Sequence, residues 1–175
     1  MNSKKENVSD LIKTRERVRD FGEVYTPLNL VGDMLSEIPH ETWSDPKKTF
    51  FEPACGNGIF LIEIVKKKID CGVSPIDALR GTYGVDIIHD NVVECRIRLM
   101  CYVLNICQNT PEGLSEILNS NIRHGNALEF DVEDIFSDNP SEELKHFRRG
   151  YGSWVSIEEL QNFREKYDCP PLTNK

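Results

Sequence analysis

The amino-acid sequence predicts an α/β fold, and three observations carry that expectation. A short strand over residues 48–53 runs into the turn Ala54-Cys55-Gly56-Asn57-Gly58, which hands over to a helix with Ile59, Phe60, Leu61, Ile64 and Val65 on its apolar side. Strand, tight turn and helix form the first half of a βαβ unit. A second strand, Thr82 to Ile88, carries the acid Asp86 near its carboxyl end, and a helical pattern over residues 90–107 separates it from a third candidate strand at 121–128. Strands alternating with helices favour a parallel sheet covered by helices.

Each element has a local reason. Residues 1–20 are polar and charged, and form either a helix or a loose arm; Lys5, Lys13, Arg15, Arg17 and Arg19 are interleaved with acids, the pattern of a solvated helix face. Phe21 to Tyr25 reads as a turn and a short extended piece. Thr26 has N-cap chemistry and Pro27 suits the first helical position, where its missing N–H costs nothing. Leu28, Val31, Leu35 and Ile38 then recur at helical spacing until Pro39 stops them. After the glycine turn, the helix from Ile59 runs to about Asp70 and ends at Gly72. Ser74-Pro75 opens a further short helix. Another is expected over 111–118 with Pro111 at its start, before the candidate third strand and its following turn at 121–128. Beyond Asp131 an acidic stretch shows little apolar periodicity. Ser141-Glu142-Glu143-Leu144 and Ser156-Ile157-Glu158-Glu159 begin two helices, the second with capping-box spacing, and Gly152 to Ile157 is a candidate extra strand.

Composition narrows the classes of function. The chain has 175 residues, and 39% belong to the apolar types; with 11 glycines, this is the low end of the ~45–50% usual for a globular domain. Lys and Arg number 21 against 29 Asp and Glu, a net charge of −8. Affinity for phosphate backbones comes from counterion release by basic side chains, so any nucleic-acid role needs a local basic face or a partner. No apolar run approaches a membrane span and no signal segment precedes the polar start, so a cytoplasmic protein without membrane contact is expected. The six cysteines show no metal-ligand spacing, and free, mostly buried thiols are expected, with no metal site.

The chemistry concentrates at the glycine turn. Glycines let backbone approach a ligand closely, and a carboxylate at the end of the next strand can accept hydrogen bonds from ribose hydroxyls. The dinucleotide fingerprint G-x-G-x-x-G fails because position 61 is Leu61, and no G-K-[ST] is present for a mononucleotide loop. An acid before the turn, Glu52, suits a ligand with a positive amino group and would repel a pyrophosphate. Asp86 also has the chemistry of a helix cap, and Asn126 that of an ordinary turn residue.

Glu52-Pro53-Ala54-Cys55-Gly56-Asn57-Gly58-Ile59-Phe60 resembles the [DE]-P-x-C-G-x-G-x-F motif of the N6-adenine DNA methyltransferases of restriction-modification systems. Phe21 through Pro27 resembles the upstream motif of that family, Tyr83-Gly84-Val85-Asp86-Ile87 its second-strand motif, and Gly125-Asn126-Ala127-Leu128 its G-[DN]-A-L turn. The resemblance implies a Rossmann-like S-adenosylmethionine-dependent methyltransferase fold with S-adenosylmethionine as cofactor. It implies that Tyr25, Thr26 and Pro27 lie along the methionine end and that Glu52 faces the amino group. Pro53, Ala54, Cys55, Gly56, Gly58 and Phe60 would form the turn, with Asp86 and Ile87 at the ribose. Asn126 and Ala127 would lie at the adenine ring, Asn126 without the charge of the commoner Asp.

One departure from the family stands out. Its catalytic [DNS]-P-P-[YFW] element holds a flipped base, and no such element occurs in residues 1–175. Asp138-Asn139-Pro140-Ser141 has one proline, and Cys169-Pro170-Pro171-Leu172 lacks both the polar acceptor and the aromatic residue. The catalytic residues are therefore unassigned, and the sheet is expected to lack the strands that usually complete it. The expected organisation is an N-terminal arm over 1–20, a cofactor-binding domain over 21–131 and an acidic extension over 132–175. DNA would be a partner only with complementation by another chain or domain. The alternative is a catalytically inactive methyltransferase-like protein that binds a ligand or a protein partner.

Overall fold

The computed structural model describes residues 12–107, 109–151 and 157–170. The chain opens with α1 (Arg15–Phe21), α2 (Leu28–Ser36) and α3 (His40–Ser44), followed by β1 (Phe50–Glu52), α4 (Ile59–Asp70) and α5 (Pro75–Arg80). Next come β2 (Thr82–Asp86), α6 (His89–Ile106), α7 (Leu114–Asn121) and β3 (Ile122–His124). It continues through α8 (Val132–Ile135), α9 (Glu142–Tyr151) and α10 (Ile157–Lys166). The sheet has the order β1-β2-β3 and is parallel throughout, with Phe50 opposite Thr82 and Gly84 opposite Ile122. Every strand-to-strand connection carries helices, an arrangement compatible with a Rossmann-like fold. Among the described residues β1 is paired on one edge only.

The alternation of strand side chains divides the molecule into two cores. Leu61 and Val65 of α4, Cys95 and Leu99 of α6, and Leu114 and Leu118 of α7 bury one face together with Ile122. On the other face Val85 packs with Ile135, Leu144 and Phe147 in a smaller cluster. Gly84 is where α4 meets the sheet: a Cβ there would lie 2.6 Å from Leu61 Cδ1, so only glycine permits this approach.

Several expectations need correction. Pro27 adopts extended backbone (φ −58°, ψ 141°) and is itself the N-cap of α2, which has no side-chain cap, so Thr26 lies one residue too early to cap. The helix ends at Ser36, and Pro39 instead caps α3, an element absent from the sequence reading. Tertiary packing explains it: Trp43 is fully buried and stacks on Phe50 at 4.9 Å between ring centroids. The helix expected over 111–118 starts later, after Gly113 in left-handed conformation, and takes in Asn121. The Asn121 amide donates to the carbonyls of Leu79, Arg80 and Thr82, which holds it out of the strand. Of the candidate extra strand, residues 152–156 lie outside the described residues and Ile157 opens α10.

Two further corrections concern charge and sulfur. Lys13 and Arg17 do not form a solvated face: Lys13 Nζ lies 2.7 Å from Glu94 Oε2, and Arg17 Nη1 2.7 Å from Asp90 Oδ2. Glu94 is fully buried on α6, and Lys166 and Tyr167 reach it from the C-terminal side at 2.7 Å and 2.6 Å. Residues 72 positions or more away thus converge on one α6 carboxylate, the compensation a buried charge requires. Lys5 lies outside the described residues. Cys101 and Cys169 form a disulfide because α10 folds back along α6, while Cys55 and Cys95 are buried free thiols and Cys71 and Cys107 are half-buried ones.

Candidate functional site

A cavity of about 380 Å³ opens beyond the carboxyl ends of β1 and β2. Its base is the glycine turn. Gly56 (φ 51°) and Gly58 (φ 81°) both occupy the left-handed region, which lets the chain reverse within five residues and start α4. Gly58 is also a contact point: a Cβ would fall 2.5 Å from Cys95 Sγ on α6. Cys55 lines the cavity with its thiol held neutral, pushed well above the ordinary range by its hydrogen bond with Cys95 and by burial.

Asp86 ties the cavity together. Its Oδ2 accepts from Gly56 N–H at 2.8 Å, and its Oδ1 accepts from Ile88 N–H at 2.8 Å and from the Asn91 amide at 3.3 Å. Burial raises its pKa, and these three donors work in the opposite direction. An ionised carboxylate offers about four acceptor positions, so one remains for a ligand hydroxyl. Glu52 is the second acid on the wall. Its Oε1 accepts from Ala54 N–H at 3.1 Å, and among the described residues its Oε2 has no hydrogen-bond partner.

The segment 21–26 forms the opposite wall, fixed by charge. Arg17 donates to Asp90 through Nη1 at 2.7 Å and Nη2 at 3.0 Å, and to Glu23 Oε1 at 2.8 Å. Burial disfavours the Arg17 cation, but its bonds with Asp90 and Glu23 outweigh that and raise its pKa. Asn91 donates to Glu23 Oε1 at 2.6 Å, closing a chain that runs from Gly56 through Asp86 to α1. Tyr25 stands over the turn, its ring 3.2 Å from where a Gly56 Cβ would be; burial first and the Glu23 charge second push its phenol pKa up, so it stays protonated.

The structure brings Tyr25, Thr26, Glu52, Ala54, Cys55, Gly56, Phe60, Asp86 and Ile87 onto this one cavity. Pro27, Pro53, Gly58, Asn126 and Ala127 do not line it. Asn126 lies on the loop after β3, where its Oδ1 accepts from Leu128 N–H at 3.0 Å, and Ala127 packs against the smaller core. The sequence reading missed Glu23, Met34 and Asn91. Glu23 stands inside a segment already singled out, so its signal was available; Asn91, one turn into a long helix, carries none.

A cavity at the carboxyl edge of a parallel sheet, behind a glycine turn and beside a strand-end acid, is where open α/β sheets take their ligands. Over 98 residues, 56% of its length, the chain is 31% identical to the Type II methyltransferase M.VspI of Vibrio sp. (strain 343). It spans about a fifth (21%) of the length of that curated relative. The similarity supports a methyltransferase-like chain. No protein-family profile matches it, and no solved structure does. Among the described residues no helix is long and apolar enough to cross a membrane, and no cluster of side chains is arranged to hold a metal ion.

Proposed function

We propose that this chain binds S-adenosylmethionine in the 380 Å³ cavity and is the cofactor-binding part of a DNA methyltransferase acting on adenine N6. Another chain or domain would supply the catalytic element and the DNA contacts. One observation carries the reading: three segments far apart in sequence, 21–26, 52–60 and 86–91, meet on a single cavity lined by three acids, Glu23, Glu52 and Asp86, and by no basic side chain. The donor set fits the ligand. The free Glu52 Oε2 suits an ammonium group, the remaining acceptor position of Asp86 suits a ribose hydroxyl, and Met34, Ile59, Phe60 and Ile87 give apolar surface for a flat ring. S-adenosylmethionine, when bound, supplies a methyl group activated by the adjacent sulfonium. The chain's own part is to hold and orient, and the buried Asp86 bonds keep the turn in place before binding, which lowers the ordering cost.

Calorimetry with S-adenosylmethionine and its demethylated product tests this directly. A saturable heat is expected with both, and its absence for both overturns the reading. The open edge of β1 supports completion of the sheet by further strands.

A second reading, a methyltransferase-like binding protein without catalysis, is favoured by the fate of the two proline segments. Asn139 N–H donates to Ser137 Oγ at 3.0 Å and Ser141 Oγ accepts from Leu144 N–H at 3.2 Å, so residues 137–141 are the turn and cap that start α9. Cys169 is committed to its disulfide. Incubating the 175-residue chain with DNA and methyl-labelled S-adenosylmethionine separates the readings: no label transfer is expected from this chain alone, and transfer on adding a complementing chain identifies the split enzyme.

A further inference from the structure

A second cavity, of about 220 Å³, is lined by His89, Arg96, Arg123, His124 and Arg148, with no acid among them. In a chain of net charge −8 this is a local concentration of positive charge. We infer that this cavity is a binding site for a phosphate group. The inference stands apart from the S-adenosylmethionine reading, because the two cavities share no lining residue. His124 Nε2 bonds the Ile87 carbonyl at 2.9 Å, and Ile87 lines the first cavity, so the two lie back to back across residues 87–89.

The three guanidinium groups are positioned by neutral acceptors. Arg96 donates through Nε to the Ile122 carbonyl at 2.9 Å, through Nη2 to the same oxygen, and to the Asn119 carbonyl at 3.3 Å. Arg148 donates to the carbonyls of His124 at 2.8 Å and Ile135 at 2.9 Å, and Arg123 Nε donates to Ser120 at 2.9 Å. Carbonyl oxygens fix orientation without cancelling charge. Among the described residues the one carboxylate in contact is Asp138, 3.3 Å from Arg123 Nη2 with its side chain fully in solvent, a weak and screened partner. Asp134 is near Arg148, but its oxygens accept from Ser141 N–H at 2.7 Å and Ser141 Oγ at 2.6 Å.

Capacity for a ligand is left over. Among the described residues the Nη1 groups of Arg96, Arg123 and Arg148 make no hydrogen bond and His89 Nδ1 is buried without a partner. The mutual repulsion is visible in the acidities: burial and then Arg123 and Arg148 push Arg96 down to about 10, and burial and Arg123 lower Arg148. An oxyanion removes this repulsion. A tetrahedral phosphate, with up to two charges and several acceptor oxygens, matches three converging forks better than a planar carboxylate, which one arginine already saturates. The volume is several times the roughly 30 Å³ that a water occupies, enough for such a group.

The same chemistry is offered by free phosphate and by the phosphodiester backbone of DNA, and one experiment distinguishes them. The probe is inorganic phosphate, titrated at constant ionic strength against chloride while the imidazole resonances of the full chain are followed by NMR. Saturable shifts at His89 and His124 are expected. Arg123→Gln should weaken phosphate binding about tenfold, the loss of one charge-assisted bond. His89→Gln, which removes no bond to the backbone, should also weaken it, so a folding defect in the first variant does not blunt the test. Displacement of the phosphate by a short DNA duplex assigns the site to a nucleic-acid backbone, and indifference to DNA assigns it to free phosphate. Shifts that chloride reproduces, or that both variants retain at full affinity, overturn the inference.

Discussion

The two cavities lie on either side of residues 87–89 and have opposite chemistry. The larger holds Glu23, Glu52 and Asp86 against apolar side chains, whereas the smaller holds three arginines and two histidines. They also differ in how their charge is satisfied. Around Asp86 each donor is a backbone N–H or an amide placed by the turn and the start of α6, so the acid is part of the scaffold. Around Arg96 and Arg148 the partners are carbonyls, and the charge stays uncompensated. The contrast teaches that a buried charge can serve either to hold a loop shut or to wait for a counter-ion, and that only its partners tell which.

The sharpest way to break the larger site is at its base. Gly58→Val places a side chain into Cys95 at a left-handed backbone position, and a loss of about 3–5 kcal/mol in urea unfolding is expected, with the cavity lost as well. The smaller site is probed by acid. His124 is pushed down to about 4 by burial and then by the charges of His89, Arg148 and Arg96, so it folds neutral. Between pH 6.5 and 4 the unfolded chain binds a proton that the folded chain refuses, and stability falls by roughly 2–3 kcal/mol as pH drops through that window. Unfolding curves across the window should show this slope, reduced in His124→Gln.

Glu52→Gln sharpens the comparison at the first site: affinity for S-adenosylmethionine should drop about tenfold with stability nearly unchanged, since Glu52 makes one local bond. Phosphate binding at the second site should be untouched. Asn126→Ala should change cofactor affinity by no more than about twofold, since its amide is engaged with Leu128 outside the cavity. A larger loss measured by calorimetry would mean that the loop after β3 swings over the ligand. Alkylation of the denatured, unreduced chain should label four cysteines, Cys55, Cys71, Cys95 and Cys107, and not Cys101 and Cys169.

Much of the larger site was legible in the sequence because its parts are short and contiguous. The turn from Ala54 to Gly58 and the acid at 86 each announce themselves in a few residues, and nine of the fourteen residues that the family resemblance implied line the cavity. The helices from Ile59 and Pro75 follow from apolar spacing and from Ser74, whose hydroxyl accepts from Asp77 N–H. The C-terminal region was not legible in this way. Ile135, Leu144 and Phe147 lie in two short helices, too few turns apart to show a period, yet they bury one face of the sheet with Val85.

By itself the sequence determined the order of the three strands and of the helices between them, the glycine turn and the acids flanking it, because these depend on backbone freedom and on side-chain period within one segment. Tertiary structure alone decided that Lys13, Lys166 and Tyr167 meet at Glu94, that Cys101 bonds Cys169, and that five basic side chains from α6, β3 and α9 surround one cavity. Those pairings depend on distances through space between residues far apart along the chain. They are set by how the helices pack on the sheet, for which no local pattern of residues is a code.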